Sequence, residues 1–154
     1  MTDLTEGSPA PAFDLETADG RVRSADLRGR TVVLYFYPKD DTTGCTKEAQ
    51  DFTALADDFA AAGAAVIGVS KDSLASHRKF AGKYGLAVTL ASDPDGETIE
   101  RFGRWVEKSM YGLKYMGIDR STFLIDPDGV IRHIWRKVKT TGHAAEVLKM
   151  VKAS

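Results

Sequence analysis

One cysteine, Cys45, stands in a setting that favours chemistry over packing. An apolar run from Thr31 to Tyr37 ends at Pro38, which lacks a backbone N–H and suits the exit of a strand. The polar loop Lys39-Asp40-Asp41-Thr42-Thr43-Gly44 follows. Beyond Cys45, residues Ala49, Phe52, Leu55, Ala56 and Phe59 recur three or four apart and predict one apolar helical stripe. Cys45 therefore falls in the first turn of a helix, with Thr42 or Thr43 as its N-cap. Unpaired N–H groups and the macrodipole favour an anion there, and the thiolate is the nucleophilic form of cysteine. Thr42 precedes the thiol by three residues, where its hydroxyl can bond the sulfur or the atom that the sulfur attacks. A dithiol carrier would need a second cysteine at that position, so this chain cannot cycle alone as one. Arg120 opens the predicted strand Ser121 to Ile125. Its planar fork can stabilise a thiolate and polarise an incoming oxygen, or simply pair with a surface carboxylate.

Other chemistries find less support. His77 falls within an amphipathic helical pattern, His133 within a strand pattern, and His143 near a helix start. None belongs to a nucleophile motif, so a Cys–His hydrolase is not indicated. One cysteine with scattered histidines does not supply a zinc site. The Asp-Pro-Asp-Gly segments at 93–96 and 126–129 lack the spaced ligands of a calcium loop and read as turns. No phosphate-binding glycine motif is present. We therefore expect no cofactor and no metal.

The elements that must hold Cys45 follow from the pattern on either side. Pro9 to Phe13 reads as rigid and extended, and Asp14 to Arg23 as a small hairpin turning at Asp19-Gly20. Thr31 to Tyr37 and Ala64 to Ser70 are apolar at nearly every position, as in a sheet covered on both faces. The helix begun at Cys45 is expected to run to about Ala62 and stop at Gly63. A second helix carries Leu74, Phe80, Ala81 and Tyr84 between a cap at Asp72 or Ser73 and Gly85. A short strand at Val88 to Ala91 and a short helix at Glu97 to Phe102 follow. Gly103 to Gly117 has no clear period and reads as an ordered surface loop packing its aromatic residues. Two strands, Ser121 to Ile125 and Val130 to Trp135, then precede a last helix bearing Ala144, Val147, Leu148 and Val151. This order predicts an α/β domain spanning 1–154, with a mixed central sheet flanked by helices. A thioredoxin-like fold with an N-terminal extension fits it.

The whole-chain properties are those of an ordinary soluble domain: 154 residues, 43% hydrophobic and 28% charged. A net charge of −1 gives no reason to expect a nucleic-acid or membrane partner. The polar stretch Met1 to Ser8 resembles no signal peptide, and no apolar run reaches the roughly 20 residues of a membrane span. We expect a cytoplasmic monomer.

At the residues described first, the chain resembles the peroxiredoxins. The match is Pro38-x-x-x-Thr42-x-x-Cys45, supported by Pro9 to Phe13, Tyr35 to Pro38, Gly44-Cys45-Thr46, Trp105 to Ser109 and Gly117 to Asp126. Within that family it is similar to the bacterioferritin comigratory protein (PrxQ) branch. The resemblance implies reduction of hydrogen peroxide and organic hydroperoxides through a sulfenic acid on Cys45. It implies that Arg120 is the active-site arginine, Pro38 shields the thiolate from water, and Thr42 binds sulfur and peroxide. Glu48 matches a position that orients the arginine, and Gly44 belongs to the same segment. Many members of the branch carry a resolving cysteine five residues on, where this chain has Gln50. With one cysteine no internal disulfide forms, so an external thiol (thioredoxin, glutaredoxin, glutathione or another) must reduce the sulfenic acid. A non-catalytic redox sensor or binding module is the alternative from a different class, and a chaperone-like protein with an incidental thiol a further one.

Overall fold

A computed structural model describes residues 4–154; of the polar N-terminal stretch, residues 1–3 lie outside the described residues. The chain opens with a hairpin, β1 (Asp14–Thr17) and β2 (Gly20–Arg23), turning at Ala18-Asp19. After a 3-10 turn come β3 (Thr31–Phe36), α1 (Thr43–Ala54), α2 (Ala56–Ala61), β4 (Ala64–Ser70) and α3 (Leu74–Tyr84). Then follow β5 (Thr89–Ser92), α4 (Glu97–Arg101), β6 (Trp105–Met110), β7 (Leu113–Ile118), β8 (Ser121–Ile125), β9 (Ile131–Trp135) and α5 (His143–Ala153). Seven strands form one mixed sheet in the order β2-β1-β5-β4-β3-β8-β9. The inner trio β5-β4-β3 is parallel, and the strands added on each side are antiparallel.

The core lies on both faces of β3, which explains the unbroken apolar run. Val33, Tyr35 and Tyr37 face Ala49 and Phe52 of α1, Phe59 of α2, Phe80 of α3 and Val147 of α5 in one buried cluster. Val32, Leu34 and Phe36 face Ile99 of α4, Phe102 and Phe123 in the other. Each phenylalanine withdrawn from water contributes roughly 1.5–3 kcal/mol. Phe52 is fully buried and stacks on Tyr35 with centroids 4.9 Å apart, which ties α1 to the strand that leads into it. Tyr35 in turn fits only because Gly68 of β4 has no side chain: a Cβ there would meet the Tyr35 hydroxyl at 2.7 Å. The α3 boundaries follow the expected capping, with the Ser73 side chain accepting from the Ser76 N–H and Gly85 in the left-handed region.

Two expectations are corrected. The single helix from Cys45 to Ala62 is two helices, starting at Thr43 and broken at Leu55, whose N–H bonds the Phe52 carbonyl at 3.2 Å. The apolar stripe runs through the break, with Phe52 and Phe59 still facing inward 5.7 Å apart, so periodicity carried no trace of it. The expected loop at Gly103 to Gly117 is a two-stranded hairpin, β6 and β7, outside the main sheet. Its tip, Tyr111-Gly112, has φ of 52° and 79°, the paired left-handed residues of a tight hairpin turn. Met110, Leu113, Tyr115 and Met116 are exposed and Tyr111 is 97% exposed. They do not pack as expected, and with neither face buried there the alternation that signals a strand is lost.

Candidate active site

The central strand β3, paired with β4 and β8, delivers the chain to its C-terminal end at Tyr37, and the antiparallel β3–β8 register brings the start of β8 to the same place. Phe36 lies opposite Ser121, so Arg120, one residue earlier, sits beside the exit of β3. Cys45 is the third residue of α1 and 2% exposed. Arg120 bridges two side chains on that helix: Nη2 donates to Cys45 Sγ at 3.2 Å, and Nη1 to Glu48 Oε1 at 2.8 Å. Cys45 and Glu48 are three residues apart, so the helix itself places both on the face that the fork meets. Gly44 completes the fit, since a Cβ there would stand 3.0 Å from Arg120 Nη2.

The electrostatics are set by burial. Glu48 is 1% exposed, and burial pushes its carboxyl up to about 7 against the pull of Arg120. Its second oxygen, Oε2, has no hydrogen-bond partner, and neither has the buried hydroxyl of Tyr35. Burial would lower Arg120, but Glu48 and Cys45 outweigh it and hold the guanidinium above its ordinary value. On β6, burial lowers the amine of Lys108, with Asp119, Arg120 and Cys45 in electrostatic reach. Its stem lies across Gly117, 3.3 Å from where a Cβ would be. His143, first residue of α5, is pushed down to about 4 by burial, and its Nε2 lies 2.8 Å from the Thr122 hydroxyl.

The loop before α1 is held by groups that the sequence pattern did not single out. Asp40 Oδ1 accepts from the Tyr37 hydroxyl at 2.6 Å, and Oδ2 from the Ser76 hydroxyl at 2.7 Å. His77 Nδ1 lies 2.7 Å from the same Oδ2, and Nε2 3.0 Å from the Ala91 carbonyl. Burial pushes the Asp40 carboxyl up, but His77, Tyr37 and Ser76 outweigh it and hold it below the usual range. The Asp40 N–H donates to Asp72 at 2.8 Å. Asp41, with φ of 60°, accepts from Tyr84 and Lys83 of α3. Two adjacent aspartates thus fasten the loop to α3. A histidine on the apolar side of an amphipathic helix was the available signal, because a buried imidazole needs polar partners.

Of the residues expected at the site, Cys45, Arg120, Glu48 and Gly44 are brought together. Pro38 and Thr42 stand exposed on the loop. Thr42 is the N-cap, but its hydroxyl donates to the Lys39 carbonyl at 2.9 Å instead of to the sulfur. The tight turn at Asp40-Asp41 brings that carbonyl within reach. Among the described residues no group of three or more His, Cys, Asp or Glu could hold a metal ion, and no helix is long and apolar enough to cross a membrane.

A thiol, a guanidinium fork and a buried carboxyl at a helix N-terminus can attack an electrophilic oxygen and steady the charge that leaves. Comparison with known proteins gives the same direction. Residues 7–134 match the AhpC/TSA family model. A putative peroxiredoxin bcp of Coxiella burnetii is 51% identical over 143 residues, covering 92% of this chain and 95% of that protein. A solved structure of Xanthomonas campestris peroxiredoxin Q superposes with a TM-score of 0.90 at 44% identity, covering 99% and 98% of the two chains. The bacterioferritin comigratory protein of that organism, studied for alkyl peroxide reduction, gives 0.87 at 45% identity over 92% and 90%.

Proposed function

The chain belongs to the AhpC/TSA family and is a peroxiredoxin of the Bcp/PrxQ kind, a thiol-dependent peroxidase, in which we propose that Cys45 is the attacking sulfur and Arg120 its main electrostatic partner. The observation that carries this assignment is the Arg120 fork, bonded at once to Cys45 Sγ and to Glu48. A guanidinium on the sulfur favours the thiolate. It also supplies a fixed positive field where negative charge develops on the departing oxygen.

The thiolate attacks one oxygen of a hydroperoxide, the S–O bond forms, and the O–O bond breaks with its electron pair going to the other oxygen. Cys45 becomes a sulfenic acid, and protonation releases water or an alcohol. Pro38 limits water at the sulfur, and Thr42, turned from Lys39, receives the peroxide. Gly44 leaves room for the fork. Asp40 and His77 act one step back, fixing the loop to α3 so that the thiol, the cap and the fork keep their relation.

With no second cysteine, return of the sulfenic acid requires a thiol from outside the chain. We assign that role to a protein or low-molecular-weight thiol of the cytoplasm, where reducing equivalents are maintained, and treat the protein as a single-domain monomer. The test is consumption of hydrogen peroxide and cumene hydroperoxide by the reduced protein with added dithiothreitol, thioredoxin or glutathione. Turnover that disappears in Cys45→Ser is expected. Turnover unchanged by that substitution would refute the assignment.

A further inference from the structure

Arg120 is a single cation shared by two acids. Nη2 contacts the Cys45 sulfur at 3.2 Å and Nη1 contacts Glu48 Oε1 at 2.8 Å, and Glu48 is 1% exposed. If both acids were ionised, two buried anions would share one guanidinium, and groups so placed do not ionise independently. Glu48 Oε2 sharpens the conflict. It is buried with no donor, and an unpartnered charged oxygen is costly there, whereas a neutral carboxylic acid is far less so. The groups facing Glu48 are Arg120 at the start of β8, Asp51 on α1 and Tyr35 on β3; those facing Cys45 are Arg120, Tyr35 and Lys108 of β6, and His143 of α5 faces Arg120. Arg120 is the cation hydrogen-bonded to both acids, and burial weakens the two others in reach of the site, lowering the amine of Lys108 and the imidazole of His143.

From this geometry we infer that Glu48 is the proton store of the peroxide step: it is neutral while Cys45 is a thiolate and ionises when the sulfur becomes sulfenic acid. This rests on the peroxidase reading and assigns Glu48 more than the orienting of Arg120. The proton balance closes within the site. The thiol proton passes to Glu48 as the sulfur takes over the guanidinium. The thiolate forms the S–O bond and is oxidised, and the O–O bond breaks with its pair on the leaving oxygen. The sulfur no longer needs the cation, so Glu48 can ionise against Arg120 and give up its proton to the hydroxide or alkoxide. Glu48 is bonded to Arg120 and not to the sulfur, so its proton is exchanged with the thiol and the leaving oxygen through water, and it is a positioning and proton-holding residue.

The experiment measures the Cys45 thiolate by its ultraviolet absorbance against pH, without peroxide, in the wild-type protein and in Glu48→Gln. Glutamine stands in for the neutral acid, so the thiolate fraction in the mildly acid range is expected to stay within about twofold of the wild type. A residue that only orients Arg120 lowers that fraction on removal, because the fork is freed from the sulfur, and a carboxylate ionised beside the thiolate raises it several-fold on removal. A fraction lowered or raised several-fold in Glu48→Gln overturns the inference. If the variant does not fold, difference infrared spectroscopy of the wild-type protein decides. A protonated-carboxyl band lost on oxidation by one equivalent of peroxide, and absent at neutral pH in Cys45→Ser, is expected. A band unchanged in either case overturns the inference. Because the titration uses no peroxide, failure of the peroxidase reading appears separately, as absent turnover.

Discussion

Replacing Gly44 by alanine should separate stability from activity in this protein. The backbone at Gly44 lies in the second helical position of α1 without a positive φ, so alanine can adopt it. An added Cβ raises helix propensity by up to about 1 kcal/mol, less so close to a terminus. The same Cβ would stand 3.0 Å from Arg120 Nη2 and 3.6 Å from Cζ. The fork must retreat by a few tenths of an ångström, lengthening the 3.2 Å contact to sulfur and straining the 2.8 Å contact to Glu48. A charge-assisted hydrogen bond is worth roughly 1.5–3 kcal/mol, and losing about half of one slows the reaction by roughly 4–13-fold. Stopped-flow oxidation by hydrogen peroxide gives the rate, and thermal unfolding gives the stability. We expect Tm equal to or above that of the wild type with the rate reduced. A wild-type rate in a protein of unchanged Tm would refute the reasoning that the fork's position matters.

Asp40→Ala removes the partner shared by the Tyr37 hydroxyl, the Ser76 hydroxyl and His77 Nδ1, leaving the Tyr37 hydroxyl and His77 Nδ1 only their long 3.4 Å contact with each other. A loss of about 1–3 kcal/mol is expected, seen as a fall in Tm of roughly 3–10 °C together with slower peroxide oxidation. His143 makes the fold acid-sensitive. Its folded value of about 4 lies below the ordinary 6.5, so the unfolded chain takes up the proton first. The stability it contributes is complete above about pH 6.5 and disappears as pH falls through 4, in total on the order of 3 kcal/mol. Urea midpoints that fall over that window in the wild type and stay flatter in His143→Gln would bear this out.

Much of this site is local in sequence, which is why it was legible. The strand exit at Pro38, the cap at Thr42 and the helical stripe after Cys45 follow from local backbone preferences and one amphipathic period. The alternation of strands and helices was enough to place α1 against a covered sheet. Arg120 lies 75 residues from Cys45, and its approach depends on the β3–β8 register, which no local signal encodes; the family resemblance supplied it. The Asp40–His77 contact likewise joins a turn to a helix through tertiary packing. The break at Leu55 was hidden because the inward-facing period continues across it. The β6–β7 hairpin was hidden because its outer part buries neither face.

Transient kinetics bear most directly on the proposed activation of Cys45 towards peroxide by Arg120. Reduced protein is mixed with hydrogen peroxide and sulfenic acid formation on Cys45 is followed, beside Arg120→Ala, Cys45→Ser and free cysteine. Oxidation several orders of magnitude faster than free cysteine is expected, with no signal in Cys45→Ser and a loss of at least about 100-fold in Arg120→Ala, the order of effect of removing a preorganised charge donor. Oxidation no faster than free cysteine, or a rate that Arg120→Ala leaves unchanged, would contradict that activation.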